Sequence, residues 1–231
     1  MNDSVKESRF RQHLLLTSES SSVFDLYVVT DRDASGGRVE SEVAKSAFAG
    51  GADIVQLRMK GYPKQEILEQ ARLIKGYADQ YNKLFIVNNH VDIAMESDAD
   101  GVHLGQSDMP VEDAREILDI EKLIGVTVHN VEEAIKAEED GADYVSVGSI
   151  FKTTVKHDAI QSLGLDVVFN IRQAVDIPLI AIGGINRGNI QDVIRAGADG
   201  VAVVSAAVSG DDITRSVHEL RDLILKVRPN I

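Results

Sequence analysis

From residue 26 onward, short apolar runs alternate with longer, more polar stretches of helical period. The runs lie at 26–29, 54–57, 84–87, 101–104, 123–126, 144–147, 179–182 and 201–204, which predicts eight strands. Between them the pattern predicts helices over about 39–50, 63–81, 91–97, 110–119, 130–140, 164–175, 187–196 and 211–227. Pro63 and Pro110 fall at expected helix starts, where a missing N–H costs little. Gly51, Gly141 and Gly197 fall where helices should stop. Eight βα units with no obvious linker predict an α/β fold, a single (β/α)8 barrel of the TIM type.

A repeat supports this. Ala-Asp, three times as Gly-Ala-Asp, precedes the second, fourth, sixth and eighth runs, with its alanines at 52, 99, 142 and 198. A helical solenoid also repeats near this period, but the β-rich runs and glycine turns do not suit helix pairs. A doubly wound open sheet would favour a Gly-x-Gly-x-x-Gly turn after the first strand, and none is present.

Composition narrows the class. At 231 residues and 44% hydrophobic content the chain can bury a sizeable core as one domain. A formal charge of −13 argues against nucleic acid as a partner. No apolar run reaches the roughly 18 residues of a membrane span. The lack of cysteine excludes disulfides and thiolate chemistry and fits a cytoplasmic protein. Residues 1–22 read as a polar N-terminal extension, and 23–231 as the barrel domain. A homo-oligomer is compatible with all of this.

In such barrels the chemistry gathers at the C-terminal strand ends. After the second strand, Gln56, Arg58 and Lys60 share one face of an extended chain, so an amide and two cations point together. Arg grips phosphate bidentately and Lys adds a point charge. Asn88 and Asn89 follow the third strand, and Asp108 follows the fourth. Oxygen ligands from these neighbouring loops could hold Mg2+, which binds through few carboxylates plus substrate phosphates. Asp108 reads equally well as a helix cap before Pro110, and His103 as a packed residue of the barrel mouth. Thr127 offers a hydroxyl, Asn130 suits an N-cap, and His129 is either structural or a general base. The long loop 148–158 carries Thr153, Thr154, Val155 and Lys156, suited to an anion or a lid. Gly183-Gly184 and Val204-Ser205 end the last two strands, where barrels of this type often bind phosphate through backbone N–H groups. Three phosphate-competent loop groups suggest two phosphorylated substrates, or one carrying a diphosphate.

These motifs together resemble the thiamine-phosphate synthase family, from about Leu26 to the last helix. The resemblance rests on Leu26-Tyr27-Val28-Val29-Thr30-Asp31, Gln56 through Lys60, Ala99 through Asp108, Gly148 through Lys156, and Ala181 through Ile185. It implies joining a hydroxymethylpyrimidine diphosphate to a thiazole phosphate with release of diphosphate, assisted by Mg2+. On the matching positions, Gln56, Arg58, Lys60 and Asn88 would bind the pyrimidine diphosphate. Thr127 takes the place of a substrate-contacting Ser. Asn89 and Asp108 would hold Mg2+. Thr153, Thr154, Val155 and Lys156 would line the phosphate loop, with Arg58, Lys60 and Lys156 carrying catalysis. Gly183, Gly184, Val204 and Ser205 would hold the thiazole phosphate.

The chain departs from the family pattern at four of these points. Asn89 stands where a metal-binding Asp is usual, and Thr127 where Ser is usual. Lys152 stands where Pro is common, and Val155 where a hydroxyl residue is common. The family's paralogue, a thiazole tautomerase with an acid/base histidine at the position of His129, is the alternative activity. A phosphate-binding barrel without catalysis is another, and an epimerase or aldolase with Lys60 as a Schiff base is a third.

Overall fold

The computed structural model describes residues 24–153 and 162–228. The extension 1–22, and with it Thr154, Val155 and Lys156, lies outside the described residues. Eight strands pair in chain order, all parallel: β1 (Leu26–Val29), β2 (Ile54–Leu57), β3 (Leu84–Asn88), β4 (Gly101–Leu104), β5 (Leu123–Val128), β6 (Tyr144–Val147), β7 (Leu179–Ile182) and β8 (Gly200–Val203). β8 returns to β1, with Tyr27 opposite Ala202, and the sheet closes into a barrel.

Around it lie α1 (Glu40–Ala49), α2 (Lys64–Tyr81), α3 (Val91–Glu96), α4 (Val111–Ile117), α5 (Val131–Glu139), α6 (Asp166–Arg172), α7 (Ile190–Arg195), α8 (Ser205–Val208) and α9 (Ile213–Leu225). Every expected strand and helix is present. β3 and β5 run further than the apolar pattern indicates, because Asn88 and Thr127 keep strand pairing with His103 and Ser146 after the apolar residues stop. β8 begins one residue early, at Gly200. The four-residue helix α8 has no counterpart in the sequence pattern, being too short to show a period.

Strand alternation sorts the core into two layers. Val28, Val55, Leu57, Phe85, Val87, Val145 and Val201 face outward and pack with the helices. Tyr27, Val29, Ile54, Ile86, Tyr144, Ile180 and Ala202 face inward and fill the barrel. Gly125 also faces inward, and it is glycine for a spatial reason. A Cβ there would lie 2.0 Å from Cζ of Tyr144, whose ring crosses the neighbouring strand at this point.

The Ala-Asp repeat is a structural device at the N-terminal end of the barrel. Each aspartate takes a backbone N–H from the preceding strand: Asp53 from Leu26 at 3.2 Å, Asp100 from Phe85 at 2.9 Å, Asp143 from Ile124 at 2.7 Å and Asp199 from Leu179 at 2.8 Å. Each is also ion-paired, to Lys83 and Arg221, to Lys75, to Arg115 and to Arg172 respectively. A carboxylate bond to a backbone N–H is charge-assisted and stronger than a neutral one. The glycines of the repeat, Gly51, Gly141 and Gly197, have φ of 97°, 90° and 107° and follow the helix caps, as a left-handed helix stop requires.

Asp25, just before β1, adds a fifth carboxylate. Its Oδ1 accepts Nε and Nη2 of Arg228 at 3.0 and 2.7 Å, while Oδ2 is buried with no hydrogen-bond partner among the described residues. Burial pushes the Asp25 carboxyl above its ordinary value despite the opposing pull of Arg228. Because the folded value is the higher one, this group's stabilisation is complete below the unfolded value of 3.8 and is lost as pH rises through the folded value. Asp25→Asn stays neutral throughout. Its thermal midpoint relative to the native chain is therefore expected to climb as pH rises above 3.8. A difference that does not vary with pH would contradict this.

Candidate active site

The C-terminal strand ends surround one cavity of about 490 Å³. Gln56, Arg58 and Lys60 line it together, while the intervening Leu57 and Met59 are buried in the outer core. The strand alternation thus continues past the formal end of β2 and aims the amide and both cations inward. Asn88, Asn89, Asp108 and Thr127 line the next part of the wall. Thr153, Gly183, Gly184, Val204 and Ser205 complete it. Every expected site residue that is described reaches this one cavity.

Arg58 does not enter it unpartnered. Its Nη1 donates to Oδ2 of Asp31 at 2.6 Å. Gln56 is buried and donates through Nε2 to the Tyr27 hydroxyl at 2.7 Å. From there a polar chain crosses the barrel floor. Tyr27 and Tyr144 share a hydroxyl contact of 3.1 Å, Tyr144 meets Nδ1 of His103 at 3.1 Å, and Nε2 of His103 meets Oγ1 of Thr127 at 2.9 Å. His103 is accordingly a packed residue of the barrel mouth. Burial raises both tyrosine pKa values, so both hydroxyls stay neutral and serve as fixed dipoles.

Asp108 is not a helix cap. Pro110 occupies the cap position of α4 and no side chain caps it. Instead Asp108 accepts the Gly105 N–H through Oδ2 at 2.6 Å and the Asn89 amide through Oδ1 at 3.0 Å. Asn89 has φ of 65°, a left-handed conformation that Asn tolerates, and its Oδ1 accepts from Asn88. Among the described residues no three His, Asp or Glu side chains converge on one point. Asp108 and Asn89 sit on adjacent loops, but Asn89 turns its Nδ2 toward Asp108 and its Oδ1 toward Asn88. Its amide would have to turn over for its oxygen to join Asp108 on Mg2+, whose shell waters and substrate phosphate would complete.

His129 lines the cavity with a partner that the sequence reading did not foresee. Glu133, one helical turn on, takes both the His129 N–H at 2.8 Å and Nδ1 at 2.9 Å through Oε2. Asn130 caps α5 by accepting the Glu133 N–H at 2.8 Å, as its type predicts.

The glycine pair has two independent reasons to be glycine. Gly183 and Gly184 have φ of 103° and 66°. Side chains there would also collide with the loop after β6, at 2.6 Å from Cα of Ser149 and 2.6 Å from the carbonyl oxygen of Lys152. That loop extends the ladder, with Ile150 and Phe151 donating to the carbonyls of Ile182 and Gly183 at 2.9 and 3.0 Å. Gln106 and Ser149, within loop segments expected at the mouth, also line the cavity, as do Tyr27 and Ser146, which sequence reasoning missed. Tyr27 and Ser146 were open to detection, as polar groups at inward positions of otherwise apolar strands.

Fold and site together define a small-molecule enzyme of the TIM-barrel class, with cations and glycine backbone gathered at the barrel mouth. The family model described as thiamine monophosphate synthase matches residues 26–207. The thiamine-phosphate synthase of Chloroflexus aurantiacus is 50% identical over 199 residues, covering 86% of this chain and 92% of its own length. That of Methanosarcina mazei is 41% identical over 225 residues, covering 97% and 93%. The structure of thiamine phosphate pyrophosphorylase from Pyrococcus furiosus superimposes with a TM-score of 0.82 at 40% identity, covering 89% of this chain and 97% of that one. The chain belongs to the thiamine monophosphate synthase family and is an enzyme of thiamine biosynthesis.

The polar floor carries a stability prediction. Tyr144→Phe removes the hydroxyl shared by Tyr27 and His103 and leaves buried polar groups short of a partner. The cost expected in urea unfolding is about 1–3 kcal/mol, and an unchanged midpoint would show that the floor does not depend on this link.

Proposed function

We propose that the cavity joins 4-amino-2-methyl-5-hydroxymethylpyrimidine diphosphate to 4-methyl-5-(2-hydroxyethyl)thiazole phosphate, giving thiamine phosphate and diphosphate. The observation that carries this reading is that two separate residue groups suited to anions line one cavity. One is the cationic face of Arg58 and Lys60, and the other is the backbone of Gly183, Gly184, Val204 and Ser205.

In this reading Gln56 and Asn88 hold the pyrimidine half, and Arg58 and Lys60 hold its diphosphate. Thr127 lies at the end of the polar floor chain and would offer its hydroxyl to the substrate. Thr153 begins the loop that continues through Thr154, Val155 and Lys156, the last adding a third cation. The C–O bond to diphosphate breaks with its electron pair leaving on oxygen, and the pyrimidine amino group delocalises the positive charge left on the CH2 carbon. The thiazole nitrogen lone pair then forms the new C–N bond. No proton has to be removed in that step, so positioning and charge stabilisation carry the rate. Mg2+, held by Asp108 and Asn89, would neutralise part of the diphosphate charge. The reading goes with a cytoplasmic enzyme without nucleic-acid or membrane partners; no helix among the described residues is long and apolar enough to cross a membrane.

The direct test is diphosphate release with both substrates, with and without Mg2+; release of none would leave only a binding barrel. Arg58→Ala and Lys60→Ala are each expected to lower kcat/KM by about 10²-fold or more, the scale of one lost preorganised donor. His129→Ala is expected to cost under about tenfold, since a lone acid/base group typically contributes 10² or more where one is needed. A collapse on removing His129 would favour the tautomerase alternative. Asn89→Asp supplies a second carboxylate beside Asp108 and is expected to lower the Mg2+ concentration giving half-maximal turnover; an unchanged metal requirement would remove Asn89 from the metal site.

A further inference from the structure

The Thr30-Asp31 end of the first motif has no role in the reading above. Both residues follow β1, neither lines the cavity, and both hold Arg58. Thr30 is fully buried. Its Oγ1 accepts the Arg58 backbone N–H at 3.0 Å, and its own N–H donates to the Gln56 carbonyl at 2.9 Å. Asp31 divides its carboxylate. Oδ1 accepts the Ala34 N–H at 2.9 Å, closing the turn, and Oδ2 accepts Nη1 of Arg58 at 2.6 Å. The side chains of the pair are only 20% and 13% exposed, for Arg58 and Asp31 respectively, so solvent screens the contact weakly.

The loop that presents Asp31 is itself braced. Its carbonyl accepts the Ser35 N–H at 3.0 Å, and Ser35 Oγ donates to the Arg32 carbonyl at 3.0 Å. Arg32 pairs with the buried Glu40 and lies over the Tyr62 ring, 5.4 Å from its centroid. Asp31 is therefore a fixed point. Arginine has five N–H donors in a planar fork and carries about 2 kcal/mol of rotamer entropy. A partner that occupies one donor of such a side chain removes much of that freedom and leaves the other donors for a ligand.

We propose that Asp31 is a positioning residue for the reaction. Its carboxylate holds one edge of the Arg58 guanidinium so that the remaining N–H groups are preset toward the substrate diphosphate, and Thr30 fixes the backbone from which Arg58 projects. This rests on the reading that Arg58 binds diphosphate. The alternative is that Asp31 competes with diphosphate for Arg58, which predicts the opposite sign.

Asp31→Asn separates the two. It keeps an oxygen for the Ala34 turn and turns a donor toward Arg58 where an acceptor was. Inorganic diphosphate serves as the probe, as an inhibitor with Mg2+ present. Its inhibition constant and the KM for the pyrimidine diphosphate are each expected to rise about tenfold or more. The KM for thiazole phosphate should stay within about twofold, because only the Arg58 side of the cavity is disturbed. In an Arg58→Ala background, Asp31→Asn should add no further loss. Tighter or unchanged diphosphate inhibition in Asp31→Asn overturns the proposal, as do additive losses in the double variant. If Arg58→Ala alone leaves diphosphate inhibition unchanged, the fault lies in the site reading itself. Should Asp31→Asn fail to fold, Thr30→Val replaces it and is expected to raise the same two constants. Thr30→Ser, which keeps the hydroxyl, should restore them, and failure of that rescue counts against the proposal.

Discussion

Closure of the sheet is the constraint on which everything else depends. Once β8 pairs with β1, every strand has an inside and an outside, and side-chain alternation leaves no choice about which residue faces which. Tyr27, Gln56, His103, Thr127 and Tyr144 turn inward because of their parity, and the polar floor is assembled from five different strands on that basis alone. The same parity sends Val28, Val55 and Val145 out to the helices.

The two ends of the barrel divide the work. At the N-terminal end, Asp53, Asp100, Asp143 and Asp199 bind backbone N–H groups and pair with basic residues from other segments, so their charges serve cohesion. At the C-terminal end, Arg58, Lys60 and Asp108 are placed around a cavity. The overall charge of −13 therefore says little about the site. The four aspartates lie at the far end of the barrel with their basic partners, while Arg58 and Lys60 line the cavity that an anion would enter.

Much of this was legible in the sequence. The eight strands followed from apolar runs, and the stops at Gly51, Gly141 and Gly197 from their residue type. The face shared by Gln56, Arg58 and Lys60 followed from a period of two. What escaped was of three kinds. The helix Ser205–Val208 is too short to show a period. The role of the repeated aspartates needs partners far away in sequence, such as Arg221 for Asp53. The pairing of Asp31 with Arg58 joins two loops 27 residues apart and depends on where closure brings them together, whereas that of Glu133 with His129 spans one helical turn and was open to detection.

Most of the strands are only four residues long, so each offers two inward positions. In β2 these are Ile54 and Gln56, and in β6 Tyr144 and Ser146. One layer plugs the barrel and the next already faces the cavity, with no buffer between them. A change that reshapes the floor for a different heterocycle therefore also repacks the plug. In this barrel new specificity at inward positions is coupled to folding.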